Sequence, residues 1–249
     1  MLIDCHAHLD DIQFSKDLDE VIKRAEENKI IYIINNGVNP NSNRKTLELS
    51  KKYKIVKPAL GFHPTDSEKF SDDMVDNEIE FIKKNKNKIF AIGEVGLDYH
   101  WEHNEKRQKN IFLKFITLSE KTKLPLIIHS RKAEKDIMNL LESSRIKNAI
   151  LHCFEGNKIL IKKANEKNFK LSIPPSAVRS DHFKSVIENI SLQNILTETD
   201  SPYLSAIKNE RNEPLQVKHT IKLISEIKKI TVEEIEKIIF MNFKNFFKK

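Results

Sequence analysis

Two histidines near the start of the chain have the spacing of a metal-binding pair. His6 and His8 lie in MLIDCHAHLDD, directly after an apolar run that is typical of a β-strand. Alternate side chains of a strand point to the same side, so the two imidazoles share one face while Cys5 and Ala7 share the other. Two imidazoles on one face can bind one ion, although histidines at a strand end are also ordinary solvated residues.

Further candidate ligands follow other apolar runs: Glu94, His129, His152 and Asp200. His63 also follows such a run but is not counted among the ligands. Each alone has an ordinary explanation, since an acidic residue can cap a helix and a histidine can be a hydrogen-bonded core residue. Together they are harder to explain in this way, because burying so many unpaired polar groups would cost several kcal/mol. The set therefore predicts a site for two divalent metal ions, and its mixed nitrogen and oxygen donors suit Zn, Mn, Co or Mg.

Two divalent ions about 4 Å apart lower the pKa of a bridging water and hold the attacking and leaving oxygens of a displacement. The predicted chemistry is therefore hydrolysis of a phosphodiester or an amide. Glu94 is the candidate bridge, because one carboxylate can bind two ions and the neighbouring Gly93 and Gly96 add little bulk.

The elements that must position these residues are eight short runs rich in Ile, Val and Leu: LIDCH, IIYIINN, IVKPALG, IFAIGE, PLIIH, AILHCF, FKLSI and NILTETD. Charged segments with helical periodicity lie between them, and no linker-like stretch interrupts the alternation. This pattern predicts an α/β fold, a single (β/α)8 TIM barrel over residues 1–249, with the metal site at the C-terminal ends of its strands. An open doubly wound sheet fits the alternation almost as well, but it does not explain why the polar residues follow the strands.

Composition sets the class of protein and its surroundings. Charged residues make up 32% and hydrophobic residues 39% of the chain, which is typical of a globular protein. The net charge of +7 suits a polyanionic partner, and it equally suits a lysine-rich solvated surface. Two cysteines without a CxxC motif and no run of about 20 apolar residues predict a cytoplasmic protein that binds no membrane. No obligate protein partner is evident.

These motifs resemble those of the TatD family of metal-dependent deoxyribonucleases, within the amidohydrolase-like barrels. The resemblance extends over nearly the whole chain and rests on DCHAHLD, GFHP, GEVGLDY, Gln108 with Phe112, LPLIIHSR, HCFEG, TETDSPYL and RNEP. It implies that Glu94 bridges two ions, with one ion also held by His6, His8 and Asp200 and the other by His129 and His152. It further implies that His63 and Arg131 face the substrate phosphate and that Asp200 orients or deprotonates the attacking water.

The expected partner is DNA, since family members typically act as exonucleases that prefer single strands or frayed ends. The sequence departs from the family in KLSIPPSAVRS, where Pro174 and Pro175 replace a glycine-containing strand end and stiffen a loop that would touch base or sugar. Trp101 is predicted to stack on a base, because the polar segment HWEHNE offers it no obvious core.

Two alternatives remain open from the sequence. One is a hydrolase of the same superfamily that cleaves an amide or a small ester, including an aminoacyl-tRNA ester. Many amide-cleaving relatives bridge their metals with a carboxylated lysine, whereas Glu94 occupies that strand here. The other is a catalytically silent barrel that only binds nucleic acid, and the complete set of candidate ligands argues against it.

Overall fold

The computed structural model describes residues 1–247 and has eight parallel strands, hydrogen-bonded in sequence order. They are β1 (Leu2–Ala7), β2 (Ile30–Asn36), β3 (Val56–Leu60), β4 (Ala91–Asp98), β5 (Leu126–Arg131), β6 (Ala149–His152), β7 (Lys170–Ile173) and β8 (Ile195–Thr197). Each predicted run overlaps one of these strands, and β1, β4 and β5 extend beyond the ends of their runs. The runs are almost continuously apolar because the strands are buried on both faces, by the barrel interior and by the surrounding helices.

The helices that connect the strands are α1 (Leu18–Glu27), α2 (Pro40–Lys52), α3 (Pro64–Ser67), α4 (Asp72–Lys84), α5 (Glu105–Thr122), α6 (Glu134–Glu142), α7 (Lys158–Glu166), α8 (Asp181–Asn189), α9 (Val217–Lys228) and α10 (Val232–Phe246). Most begin with a side chain that caps free backbone N–H groups, as Asn39 does for α2 and Ser71 for α4. Within residues 1–247 we find no helix of the length and apolarity that a membrane span requires.

Contacts between the first and last strands nearly close the sheet into a barrel. A parallel bridge joins Ala7 to Ser201, and the amide N–H of Asp200 donates to the carbonyl oxygen of His6 at 2.8 Å. Deeper in the barrel, the hydroxyl of Thr197 donates to the carbonyl oxygen of Ile3 at 2.6 Å. The predicted (β/α)8 barrel is confirmed, and its closure brings the beginning of the chain against the segment that carries Asp200.

The extent of β4 differs from the sequence prediction. Glu94 was expected at the end of this strand, but β4 continues to Asp98 and pairs residue by residue with the last part of β5. The side chain of Gln108 on α5 supports this extension, because it accepts from the N–H of Asp98 at 2.8 Å and donates to its carbonyl oxygen at 3.0 Å. Glu94 therefore points into the barrel from the middle of a rigid strand.

Candidate metal centre

The Glu94 carboxylate lies between two groups of imidazoles. Its Oε2 atom is 3.4 Å from the Nε2 atoms of both His6 and His8. Its Oε1 atom is 2.8 Å from Nδ1 of His129 and 3.1 Å from Nε2 of His152. The side chain is 3% exposed, so the two oxygens face the two imidazole groups without competing water on most sides. One carboxylate oxygen thus serves each group, which is the arrangement a bridging ligand needs.

Asp200 completes the first group of donors. Its Oδ1 atom is 3.5 Å from Nε2 of His6 and 3.2 Å from Nε2 of His8. The two nitrogens are themselves 3.1 Å apart, and Nδ1 of His8 is 2.9 Å from the carbonyl oxygen of Asn36, which orients the ring. We call His6, His8 and Asp200 the first centre.

The second centre consists of His129 and His152, with His63 beside them. Nδ1 of His129 lies 3.2 Å from Nε2 of His152. Nε2 of His63 lies 3.7 Å from Oε1 of Glu94, and its Nδ1 is 2.9 Å from the hydroxyl of Thr65. His63 was predicted to face the substrate phosphate. Its position also allows it to act as a further ligand of the second centre, since its donor atom lies within 4.8 Å of those of Glu94 and His129.

The spacing of the donor atoms fits divalent ions. Neighbouring ligand atoms around a tetrahedral or octahedral ion with metal–ligand bonds of about 2.1 Å are separated by about 3.0–3.4 Å. The separations of the Nε2 atoms of His6 and His8, and of each from an oxygen of Asp200, are 3.1, 3.5 and 3.2 Å. Two imidazole nitrogens so close together face the same point in space, as ligands of one ion do. The residues present therefore fit a metal at each centre.

The protonation of these groups agrees with this interpretation. Burial alone would raise the pKa of the Glu94 carboxyl, but the surrounding imidazoles hold it well below its usual value, so Glu94 is an anion. Burial, followed by repulsion from His129, lowers the pKa of His63 to about 4, which leaves this imidazole neutral and able to bind a metal. His8 behaves differently: burial opposes its charge, but Asp200 and Glu94 raise its pKa well above the usual value. A bound cation would replace the proton there.

The segment after β8 holds Asp200 in place from both sides. The side-chain amide of Asn212, which is fully buried, donates to the carbonyl oxygens of Thr199 at 2.7 Å and Tyr203 at 2.6 Å. These two residues flank Asp200, whose backbone adopts a left-handed conformation with φ of 55°. The motif RNEP thus has a structural role, because its asparagine fixes the turn that carries a predicted ligand.

The other two polar residues of RNEP attach this segment to α1. The Arg211 guanidinium pairs with Asp17, with contacts of 2.8 and 2.5 Å, and the Glu213 carboxylate pairs with Arg24 at 2.7 Å. Both pairs are partly exposed, so each contributes geometry more than stability. Together these two ion pairs fasten the long β8–α9 connection beside the mouth of the barrel.

Two carboxylates near the centres were missed by sequence reasoning. Oδ2 of Asp98 lies 3.0 Å from Nε2 of His129, and Oε2 of Glu198 lies 3.4 Å from Nδ1 of His152. Carboxylates in such positions fix the ring orientation and tautomer of a ligating histidine. The signal for Asp98 was present in the sequence, because Glu94, Gly96 and Asp98 alternate along β4 and so share a face. The signal for Glu198 was its place two residues before Asp200.

The centres lie at the bottom of a cleft with two lobes. The first lobe, of about 270 Å³, is lined on its outer side by Asp10, Asp11 and Asp66. The second lobe, of about 410 Å³, is lined by Ser130, Arg131 and Glu155, among others. The residues common to both lobes are His129, His152, Asp200 and Tyr203. A substrate that reaches both lobes must therefore cross the metal centre under Tyr203.

Arg131 and Trp101 lie farther out. The exposed guanidinium of Arg131 ends β5 in the second lobe and lies 5.7 Å from the centroid of the Trp101 ring. Trp101 is 60% exposed and lines neither lobe, so its contact with substrate requires a molecule that extends past Arg131. Tyr203, 50% exposed and held by a 2.8 Å hydrogen bond to Asp11, is the aromatic ring above the centres.

The double substitution His6→Ala with His8→Ala tests the first centre. We expect the protein to lose one equivalent of bound metal, because both histidine ligands of the first centre are removed. The fold should be kept, because both side chains lie at the functional rim of the barrel. Elemental analysis of metal-loaded protein beside a thermal melt measures both quantities. The same pair of substitutions at His100 and His103, which flank Trp101 on the surface, is the control. An unchanged ratio of metal to protein would exclude the two histidines as ligands.

Comparisons with known proteins agree with the fold and identify the family. The family model for TatD related DNase matches residues 3–248. An uncharacterized metal-dependent hydrolase of Methanocaldococcus jannaschii is 38% identical over 247 residues, covering 99% of this chain and 97% of the relative. Deoxyribonuclease TATDN3 of Homo sapiens is 30% identical over 260 residues, covering 100% and 95%. The crystal structure of YJJV, a TatD homolog from Escherichia coli K12, has the same fold, with a TM-score of 0.93, 24% identity and coverage of 100% and 98%. This chain belongs to the TatD family of metal-dependent hydrolases.

Proposed function

We propose that this hydrolase is a deoxyribonuclease that uses two divalent ions, and that it acts as an exonuclease on single-stranded or frayed DNA. The observation that carries the proposal is the Glu94 carboxylate, which directs one oxygen to each centre. The human relative is named as a deoxyribonuclease, and this supports DNA as the substrate. The metals Zn, Mn, Co and Mg all remain candidates, with the histidine-rich donors favouring the first three.

The chain's own residues supply binding and proton transfer. Arg131 in the second lobe can bind a phosphate oxygen with a charge-assisted hydrogen bond, and Tyr203 can stack on the adjacent base. Hydrogen bonding from His8 and the charges of the neighbouring imidazoles outweigh burial and lower the pKa of Asp200, so it is a carboxylate that can accept a proton from the attacking water. Divalent ions bound by the two centres would lower the pKa of that water and offset charge on the phosphate.

The test of this proposal is digestion of end-labelled single-stranded DNA by metal-free protein to which single metals are returned. Product length gives the cleavage polarity directly. RNA and an aminoacyl ester are treated in parallel with the same preparations. Metal-dependent shortening of DNA supports the proposal, and hydrolysis of the ester without any cleavage of DNA would replace it.

The alternative is hydrolysis of a small ester or amide, including an aminoacyl ester. One observation favours it: the first lobe has three carboxylates on its outer wall and neither lysine nor arginine among its lining residues. Such a wall repels phosphates and suits a neutral or cationic substrate. The parallel ester assay separates this alternative from the nuclease.

Arg131→Ala separates phosphate recognition from a structural role. We expect kcat/KM for DNA to fall by about 10- to 100-fold, because a hydrogen bond to a charged group is worth about 1.5–3 kcal/mol. Hydrolysis of a neutral ester should change by less than about threefold, since such a substrate has no anionic group for Arg131 to bind. Steady-state kinetics on both substrates measures this. Equal losses on the two substrates would show that Arg131 serves the structure of the rim.

We also propose a cytoplasmic location. The two cysteines support it, because Cys5 and Cys153 are both free thiols, as expected in a reducing compartment.

A further inference from the structure

The face of the barrel opposite the metal centre carries a concentration of positive charge. It is formed where α4, α5 and α6 return to β4, β5 and β6, which are neighbours in the sheet. The cations of these three returns are Lys84, Lys86, Lys88, Lys121, Lys123, Arg145 and Lys147. We call these seven residues the basic sector. All seven are exposed.

The three connections of the basic sector carry no carboxylate, and the nearest one, Glu120, lines the groove beside Lys121 and Arg145. Residues 84–90, 121–125 and 143–148 contain no Asp or Glu. The two glutamates that immediately precede the second and third segments are already engaged: Glu120 accepts the backbone N–H of Arg145 at 2.8 Å, and Glu142 pairs with Lys163 at 3.0 Å. Among the ion pairs of residues 1–247, none involves a cation of the sector.

The sector is also concave. A groove of about 640 Å³ lies between the α5–β5 and α6–β6 connections. Lys121, Lys123, Arg145 and Lys147 line it, and the buried side chains of Leu124 and Ile146 lie among them. Glu120 also lines the groove, so four cations face one carboxylate there. The excess of positive charge creates a stronger local potential in a groove than on a convex surface.

A purely structural explanation accounts for part of this pattern. Lysine and arginine near the C-terminus of a helix interact favourably with its dipole, and one cation per helix end is ordinary. That effect falls off within the last turn, so it does not explain Lys88 or Lys147, which follow the last helical residue by four and five positions. Nor does it explain the exclusion of acidic residues from all three connections.

We propose that the basic sector is a second, non-catalytic surface that binds the sugar–phosphate backbone of a single-stranded nucleic acid. Exposed polar residues that can contact phosphate and sugar accompany the cations, namely Asn87, Ser143 and Asn148. A membrane-binding face would need apolar side chains to insert, and none of the large exposed apolar side chains of residues 1–247 lies in the three segments. The polyanion is therefore a nucleic acid.

The basic sector would bind nucleic acid at a surface separate from the cleft. Helix α5 has 18 residues and spans about 27 Å between the two faces, so a dinucleotide cannot touch both. A long strand held by the sector keeps its ends near the cleft, which raises affinity without changing the chemistry. The choice of a single strand rests on the proposed substrate, whereas the binding of a nucleic acid backbone does not depend on the nuclease proposal.

The test is the triple variant Lys86→Glu, Arg145→Glu and Lys147→Glu in the full chain. Binding of a long single-stranded phosphorothioate oligonucleotide, which resists hydrolysis, is followed by fluorescence anisotropy at increasing salt. We expect affinity to fall at least about tenfold and the slope of log affinity against log salt to become shallower by about 2, since three phosphate contacts are lost. Cleavage of a dinucleotide should stay at the wild-type rate. A triple glutamine variant replaces it if the charge-reversed protein fails to fold.

The matched control reverses the same number of charges elsewhere, with Lys135→Glu, Lys222→Glu and Lys237→Glu. An equal loss of binding in this control would show that only net charge matters and would overturn the inference. Unchanged binding by the sector variant, with or without a lower melting temperature, would assign the cations to the helix ends. A loss confined to anionic phospholipid vesicles would identify a membrane surface instead. Failure to cut the dinucleotide in any variant bears on the nuclease proposal and leaves the binding result intact.

Discussion

Glu94→Gln lowers DNA cleavage by at least about a thousandfold while the barrel stays folded. Removal of one preorganised catalytic group lowers the rate by up to about that factor, and here the loss of the bridge also weakens the binding of one ion. The amide has the same shape as the carboxylate, but it is neutral and has only one good donor oxygen. The amide therefore cannot offer a ligand oxygen on both sides. In Glu94, one oxygen faces His6 and His8 and the other faces His129 and His152.

Metal stoichiometry and single-turnover cleavage, each at low and high metal concentration, measure this effect. We expect fewer than two bound ions per chain at low metal, with partial recovery in excess Mn²⁺. Glu78→Gln is a matched control, because Glu78 is also buried and ionically paired, but it lies on α4 and pairs with Arg44 of α2. Two tightly bound ions and a near wild-type rate in Glu94→Gln would mean that the residue bridges nothing.

Asp200→Asn should lower the single-turnover rate of DNA cleavage by about 10²- to 10⁴-fold, the usual contribution of a positioned general base. The substitution keeps one oxygen near His6 and His8 but removes the ability to take a proton from water. Metal content should fall less than the rate does. A loss of activity that follows metal content in proportion, and that excess metal restores fully, would make Asp200 a ligand without a role in proton transfer.

Asp66→Asn serves as the control for Asp200, since it lines the same lobe and carries the same charge. Its carboxylate pairs with Lys69 at 2.7 Å and accepts from the Asn39 side chain at 2.8 Å, and these partners lie outside the two centres. We expect its effect on the rate to stay within a few-fold. A comparable loss would indicate that the charge of the lobe matters more than the position of Asp200.

The sequence alone determined the class of fold and supplied the candidate residues of the site. Short β-branched runs that alternate with helical periodicity report local burial, and eight of them within 249 residues leave few arrangements other than the barrel. The types of residue that follow those runs also indicated metal chemistry, because histidine, glutamate and aspartate are seldom grouped in this way for stability alone. Local pattern sufficed for these conclusions, since each strand, and the type of residue that follows it, is identified from neighbours along the chain.

The tertiary structure decided everything that depends on distance across the barrel. It directs one oxygen of Glu94 to each centre and places Asp98 beside His129. It also brings Asn212 to the turn that carries Asp200. It moved Trp101 outside both lobes and put Tyr203 above the centres. It also gathered lysines that are scattered in the sequence onto one face. Sequence periodicity tells which side of a strand or helix a residue occupies, but which residues meet follows from strand order, register and closure, and these are properties of the assembled sheet.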